Sequence, residues 1–530
     1  MVNHNPPIAD LLDCIDSSER THELFARLIK NNTEQRGILY TSKADIVGFK
    51  NPEELAEKYN NVLYHRHQYA RIEIFKNHFY IKEYDENVYE IIYKLKKYAE
   101  SGIKNYTHSV DLWMKNSGLI IDCDEKKNAL RNLFKNSKVA FIYGAAGTGK
   151  STMINYISSL FKDKQKIFLA NTNPAVENLR RKVTAEHAEF VTITKFLSKD
   201  VSNDCDILCL DECSTISNRD MVRVLQRAQC KLLVLVGDIY QIESILFGNW
   251  FNIAYKVMPK DSVAELTRPH RTTVQGLIEV WNKVREITED RLEFITRNGL
   301  SSTLDESIFS RTEEDEIVLC LNYDGIYGIN NINKFLQSNN VNPSINWGVL
   351  SYKVGDPVLF NESNRFAPLV YNNLKGKILQ IEEEEDCIYF TIEVYTVLNE
   401  LDVIGFDLEL KESVTDETSV IRFKVGRGGD GNDDNDNVEN VVPFQVAYAI
   451  SIHKAQGLEY ESVKVVITSE IEEMVSHNIF YTAITRAKSK LKIYWSPETE
   501  KRILENMKVQ FNDKDYQLFK AKYKEALLKS

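Results

Sequence analysis

Long apolar runs are missing from this 530-residue chain: nothing approaches the roughly 20 residues a bilayer span needs. The opening stretch, Met1 to Pro7, also lacks the apolar core of a signal peptide. A cytoplasmic home without a membrane partner is expected. Cysteine is sparse, eight residues scattered along the chain and several inside apolar, strand-like runs, which suits a reducing compartment rather than a disulfide framework. Cys205, Cys209 and Cys213 recur every four residues, but points spread along one extended strand do not converge on a metal ion, so they read as buried structural residues. Positive charge is in deficit, 66 Lys and Arg against 77 Asp and Glu for a net charge of −11. That argues against a polyanion-binding surface over the whole protein, though a local groove remains compatible with it. The glycine-rich acidic stretch 426–437 lacks the turn glycine and terminal glutamate of an EF-hand and reads as a surface loop.

What the chain does have is an ordinary soluble composition, 43% hydrophobic and 27% charged, over a length that suits about three or four domains. It is organised around residues 141–152, read as strand, glycine loop and helix. Gly144, Gly147 and Gly149, with Ala145, Ala146 and Thr148 between them, let backbone N–H groups converge on a polyphosphate at a helix N-terminus. Lys150 then reaches the β- and γ-phosphates, Ser151 ligates Mg²⁺, and Thr152 completes the cradle. The expected ligands are therefore ATP and Mg²⁺.

Downstream, 166–170 reads as a second buried strand leading through Pro174 into a helix, a tip that offers Thr172 and Asn173 to a phosphodiester. Thr192 and Thr194 in 191–197 offer similar contacts. Residues 206–212 form an apolar strand ending in two acids: Asp211 to hold Mg²⁺ and Glu212 to orient or deprotonate the attacking water. A further strand, 231–237, carries Gln241 just beyond its tip, placed to sense the γ-phosphate, with a surface turn as the competing reading.

The order of these segments resembles a superfamily 1 helicase, and three later stretches extend the resemblance: 265–271, 444–459 and 480–488. It implies an α/β fold of two RecA-like P-loop domains, parallel sheets flanked by helices, with Arg271 and Arg486 supplied from the second domain to the γ-phosphate. It implies that Gly457 and Glu459 lie at the nucleotide, and Ser451, His453 and Lys454 on the nucleic-acid side. The wording of 447–457 and 481–487 is closer to the RecD-like 1B branch, which implies 5′→3′ movement on single-stranded DNA. Short alternating strands within 350–440 suggest a small β-barrel, similar to the SH3-like insertion of RecD-like enzymes, with Asn361, Arg365, Tyr371 and Asn372 as strand-gripping candidates. The expected domains are 1–122, an α+β accessory domain; 123–262, the first RecA-like domain; 263–349 and 441–497, two parts of the second; 350–440, the insertion; and 498–530, C-terminal helices.

Two departures stand out. The resemblance implies an adenine-reading glutamine ahead of the phosphate loop, where this chain has Lys126, so preference for ATP over GTP is open. Between Leu197 and Asp206 there is too little chain for a duplex-splitting pin. Three jobs follow: a DNA helicase or translocase, a single-strand-gated ATPase switch that recruits a nuclease partner through residues 1–122, or an RNA remodeller. Within that first segment, 64–71 mixes aromatics with bases and reads as nucleic-acid contact or a polar hairpin.

Overall fold

The computed structural model describes residues 19–145, 147–198, 202–241, 247–268, 270, 272–361, 365–367, 369–413, 415–427, 440–507 and 513–528. The chain divides into two compact units, residues 1–171, 179–268 and 510–530 in the first and 172–178 with 269–509 in the second.

The first unit opens with a small antiparallel sheet of β1 (Thr41–Ser42), β2 (Ile72–Phe75) and β3 (His78–Ile81), in the order β1-β3-β2. Lys76 and Asn77 turn the β2–β3 hairpin with positive φ, the backbone hand a tight hairpin requires. Segment 64–71 is not a hairpin: consecutive 3₁₀ turns span His65–Ala70, with Tyr64 and Tyr69 about half exposed. Beyond it, helix Lys82–Ala99 buries Val88, Ile91, Ile92 and Leu95, an i, i+3, i+4, i+7 stripe, into the same core as the main sheet. The expected accessory domain 1–122 is thus continuous with the core of the main sheet from this helix on, because that stripe has its partners there.

The main sheet contains β4 (Val139–Gly144), β5 (Lys166–Ala170), β6 (Ala188–Thr192), β7 (Asp204–Leu210), β8 (Gln229–Gly237) and β9 (Val263–Leu266). All pairs are parallel, in the order β6-β5-β7-β8-β4-β9. Every residue of β4 and β5 is buried, as strands covered by helices on both faces must be. Strand β9 corrects an expected boundary: 263–266 pairs with β4, so the first unit runs on to residue 268 rather than ending at 262. The physical reason is that Ala264 and Leu266 are buried against β4, whose edge would otherwise stand open. The C-terminal tail also divides. Helix Pro497–Asn506 belongs to the second unit, whereas helix Asp513–Leu528 returns to the first and buries Leu518 and Phe519 there.

The second unit carries a parallel sheet of β10 (Ser301–Ser302), β11 (Glu316–Cys320), β20 (Ala449–Ser451), β21 (Tyr460–Val466) and β22 (Ala487–Tyr494), in the order β10-β22-β21-β11-β20. Between β11 and β20 the chain forms a hairpin, β12 (Ser344–Trp347) with β13 (Leu350–Lys353), and an antiparallel sheet. Its members are β14 (Pro357–Phe360), β15 (Lys375–Glu383), β16 (Cys387–Val394), β17 (Glu409–Lys411), β18 (Ser419–Gly426) and β19 (Phe444–Val446), in the order β17-β18-β16-β15-β14-β19. In β16 alternate residues are buried, and Tyr352, Phe360, Phe390, Phe423 and Phe444 meet in edge-to-face and tilted pairs that fill one face. Because Phe444–Val446 closes this sheet against β14, the insertion extends past the expected limit at 440.

Candidate functional site

Strands β4, β8 and β7 are neighbours in the sheet. Their C-terminal tips therefore bring the loop 144–150, residues 237–241 and the Asp211–Glu212 pair to one edge, where open α/β sheets hold ligands. The helix Lys150–Leu160 starts at the end of the glycine loop, and Gly147 (φ 76) and Gly149 (φ 86) take backbone conformations that a side chain resists. Thr148 is buried, and its hydroxyl donates to the Ala145 carbonyl at 2.9 Å, locking the loop. Lys150 Nζ donates to the carbonyls of Gly144 (2.8 Å) and Ala145 (3.0 Å), so its ammonium lies folded over the cradle. Ser151 and Thr152 sit half-buried in the first helical turn. Ala146 lies outside the described residues.

The acidic pair has the character of a charged site held under strain. Glu212 adopts φ 53, left-handed for a non-glycine residue, and its N–H donates to Asp211 Oδ1 at 2.9 Å. The turn is fixed by Thr215, whose N–H (2.9 Å) and hydroxyl (2.8 Å) both donate to the Glu212 carbonyl. Asn171, at the tip of β5, adds a 3.0 Å bond to the Thr215 carbonyl. Burial, then repulsion from Glu212, pushes the Asp211 carboxyl up to about 6, while Lys150 pulls it down, which places the three groups in one electrostatic neighbourhood. Glu212 Oε2 is buried without a hydrogen-bond partner. An orphaned carboxylate oxygen next to the Asp211 carboxylate is a hard oxygen set of the kind that fits Mg²⁺. Just past β8, Asp238 is buried and accepts from the Tyr240 N–H at 3.0 Å, and Gln241 closes the turn by donating its N–H to the Asp238 carbonyl at 3.3 Å; the turn is there, with Gln241 buried rather than at the surface.

In the second unit Arg486 is buried. Its guanidinium donates to the carbonyls of Thr482 (2.9 Å) and Leu458 (3.2 Å), tying the helix His477–Ile484 to the loop that holds Gly457 (φ 80) and Glu459. Arg271 lies outside the described residues.

The nucleic-acid candidates divide. Thr172, Asn173 and Thr194 are exposed, as is His453. Thr192 instead caps a helical turn by accepting from the Lys195 N–H at 3.2 Å. Ser451 is buried and accepts from the Lys454 N–H, and Lys454 Nζ bonds Gln445 at 2.8 Å. Two insertion candidates are corrected. Tyr371 is buried in the aromatic core, and the Arg365 side chain is 5% exposed, bonded to Asp407 (3.0 Å) and the Lys424 carbonyl (2.7 Å) and stacked on Phe366. An aromatic sheet core takes up amphipathic side chains that would otherwise reach a ligand. Asn361 and Asn372 remain exposed.

Sequence reasoning missed how the helix Asp124–Asn132 is fastened. The Glu125 carboxylate accepts from the Thr267 N–H (3.1 Å) and hydroxyl (2.8 Å) at the end of β9. Nothing in the spacing of 125 and 267 announces it.

Two family profiles match the chain, one described as an AAA domain over residues 123–305 and one as a UvrD-like helicase C-terminal domain over 446–494. The RecBCD enzyme subunit RecD of Buchnera aphidicola subsp. Schizaphis graminum is 23% identical over 73% of this chain and 78% of its own length. The ATP-dependent DNA helicase Pif1 of Campylobacter jejuni is 23% identical over 67% of this chain and 88% of its own. The chain spans 37% of an uncharacterized protein of Methanocaldococcus jannaschii to which it is 24% identical. Among solved structures, Pif1 from Bacteroides bound to single-stranded DNA gives a TM-score of 0.44 at 16% identity, over 77% of this chain and 98% of that one. The glycine loop and the acidic pair fall within the first profile and the Arg486 loop within the second, in the order that the resemblance to RecD-like superfamily 1 helicases implies, and the chain is similar to RecD and Pif1 helicases along most of its length.

Proposed function

We propose that the protein is an ATP-dependent DNA helicase or translocase that moves 5′→3′ on single-stranded DNA. The observation that carries this is the convergence of the Lys150 loop and the strained Asp211–Glu212 pair at the tips of β4 and β7, the two strands that flank β8. Loop amides and Lys150 bind the polyphosphate, and Lys150 leaves the Gly144 and Ala145 carbonyls to do so. Ser151 and Asp211 hold Mg²⁺, which supplies positive charge at the β- and γ-phosphates when bound. Glu212 orients the attacking water and accepts its proton, with Gln241 sensing whether the γ-phosphate is present. Arg271 and Arg486 approach from the second unit and neutralise the charge that builds on the transferred group, so hydrolysis depends on closure. Thr172, Asn173, Thr194 and His453 supply backbone-tracking contacts to the strand, and the antiparallel insertion, read as SH3-like, grips it through Asn361 and Asn372.

A second reading is favoured by one observation. The helix Ile193–Leu197 is followed by β7 at Asp204, and residues 198–203 are too few for a duplex-splitting pin. The protein would then act as a single-strand-gated ATPase that licenses a partner. ATPase assays with single-stranded DNA, duplex and RNA, run beside translocation and fork-unwinding assays on one preparation, separate the two. Strand-stimulated turnover with directional movement supports the motor, stimulation without movement supports the switch, and turnover indifferent to nucleic acid sinks both.

A further inference from the structure

Lys126 is 1% exposed, an unusual place for an ammonium, and its Nζ has Asp122 Oδ2 at 2.5 Å. The same Nζ packs against Gly149 of the phosphate loop. A Cβ built on Gly149 would come within 2.5 Å of Lys126 Nζ, 3.0 Å of its Cε and 3.6 Å of Thr152 Oγ1. The space that a side chain at Gly149 would fill is thus held by a lysine from another helix. That helix is fixed: Leu130 is fully buried and Glu125 is bonded to Thr267, so Lys126 is delivered to the loop rather than wandering onto it.

We propose that Lys126 is a second phosphate-binding lysine, donating to a non-bridging oxygen on the α/β side of the polyphosphate, and that the site consequently does not select adenine. This rests on the reading of that loop as the nucleotide site. An ammonium offers three donors and no acceptor. Adenine's edge pairs a donor, N6–H₂, with an acceptor, N7, whereas guanine's presents two acceptors, O6 and N7. An amide can answer the adenine pattern; a lysine committed to phosphate answers neither. Asp122 balances the charge before nucleotide arrives and holds the ammonium against the loop. The substrate class is therefore purine nucleoside triphosphates generally, recognised through their phosphates. Because the contact is to the α/β side, it is made equally by di- and triphosphates, unlike one made to the γ-phosphate.

The test uses the full chain with ADP, GDP, ATP and GTP, measuring binding by calorimetry and KM and kcat with single-stranded DNA. The wild type should use GTP and ATP with KM values within about threefold of one another. K126M, which keeps the bulk and removes the charge, should weaken ADP and ATP alike by about tenfold or more, the scale of a lost charge-assisted hydrogen bond. K126R should restore ADP affinity, and it carries the test if K126M does not fold. K126Q should lose affinity and gain preference for ATP. Unchanged ADP affinity in K126M, or a wild type favouring ATP over GTP by more than about thirtyfold, overturns the proposal. A wild type that binds no nucleotide instead overturns the reading of the loop itself.

Discussion

Removing the Asp515 carboxylate should loosen the start of the chain from its last helix. The carboxylate is 1% exposed, and it accepts from the backbone N–H groups of Leu39 at 2.7 Å and Tyr40 at 3.0 Å. Asp515→Ala leaves two buried donors without an acceptor, at about 1–3 kcal/mol each, so a local loss of about 2–6 kcal/mol is expected. Asp515→Asn keeps one acceptor and should lose roughly half. Burial also pushes the Asp515 carboxyl up to about 7. The unfolded carboxyl releases its proton near 4 and the folded one only near 7, so the folded state holds more protons across that window. Stability from this group accordingly falls as pH rises from about 4 to 7 and is level above it, by at most ~4 kcal/mol. Hydrogen exchange at the Leu39 and Tyr40 amides reads this locally, with about 30-fold less protection per 2 kcal/mol. The reasoning is refuted if protection in Asp515→Ala stays within about threefold of wild type. It is equally refuted if the wild-type decline between pH 5 and 7 survives unchanged in Asp515→Asn.

Lys150→Ala should abolish turnover while leaving the melting temperature nearly unchanged, since Lys150 bonds only carbonyls of its own loop; residual ATPase would exclude the assigned site. Gly149→Ala should block nucleotide binding and cost about 1–2 kcal/mol from its positive φ, and calorimetry showing normal ADP affinity would contradict this. Lys464 and Glu316 form a pair buried in the second unit at 3.0 Å, so Lys464→Ala should destabilise that unit by about 3–5 kcal/mol in denaturant melts; Lys464→Ala melting as the wild type does would remove the pair from its core. Arg365→Ala should lower the stability of the insertion and leave the salt dependence of single-strand binding unchanged, whereas a salt slope shallower by about one would restore Arg365 as a phosphate contact.

Motifs written in adjacent residues were legible: the glycine loop, the acidic pair and the apolar strands that carry them are local patterns, and their physics is local. Tyr371 and Arg365 were misread because an exposed aromatic or arginine and a buried one look alike until the sheet around them is known. Strand β9 was assigned to the wrong unit because four residues with alternating burial say nothing about which edge they will join. Asp515 and Glu125 carried no signal at all, since their partners lie 476 and 142 residues away. Lys126 stands out in the sequence as a departure from the family pattern, whereas the packing of its ammonium against Gly149 depends on two segments that only the fold brings together.

The return of helix Asp513–Leu528 to the first unit has a bearing on biogenesis. Residues 19–268 reach the ribosome exit long before that helix exists, and residues 269–509 are synthesised in the interval. Until then Leu39, Tyr40 and the Asp85 carboxylate, which binds Lys522 at 2.5 Å, lack their covering segment. If domains fold as they are made, the main parallel sheet forms while this flank is still bare, and the surface that the last helix covers in the finished molecule is exposed in the interval.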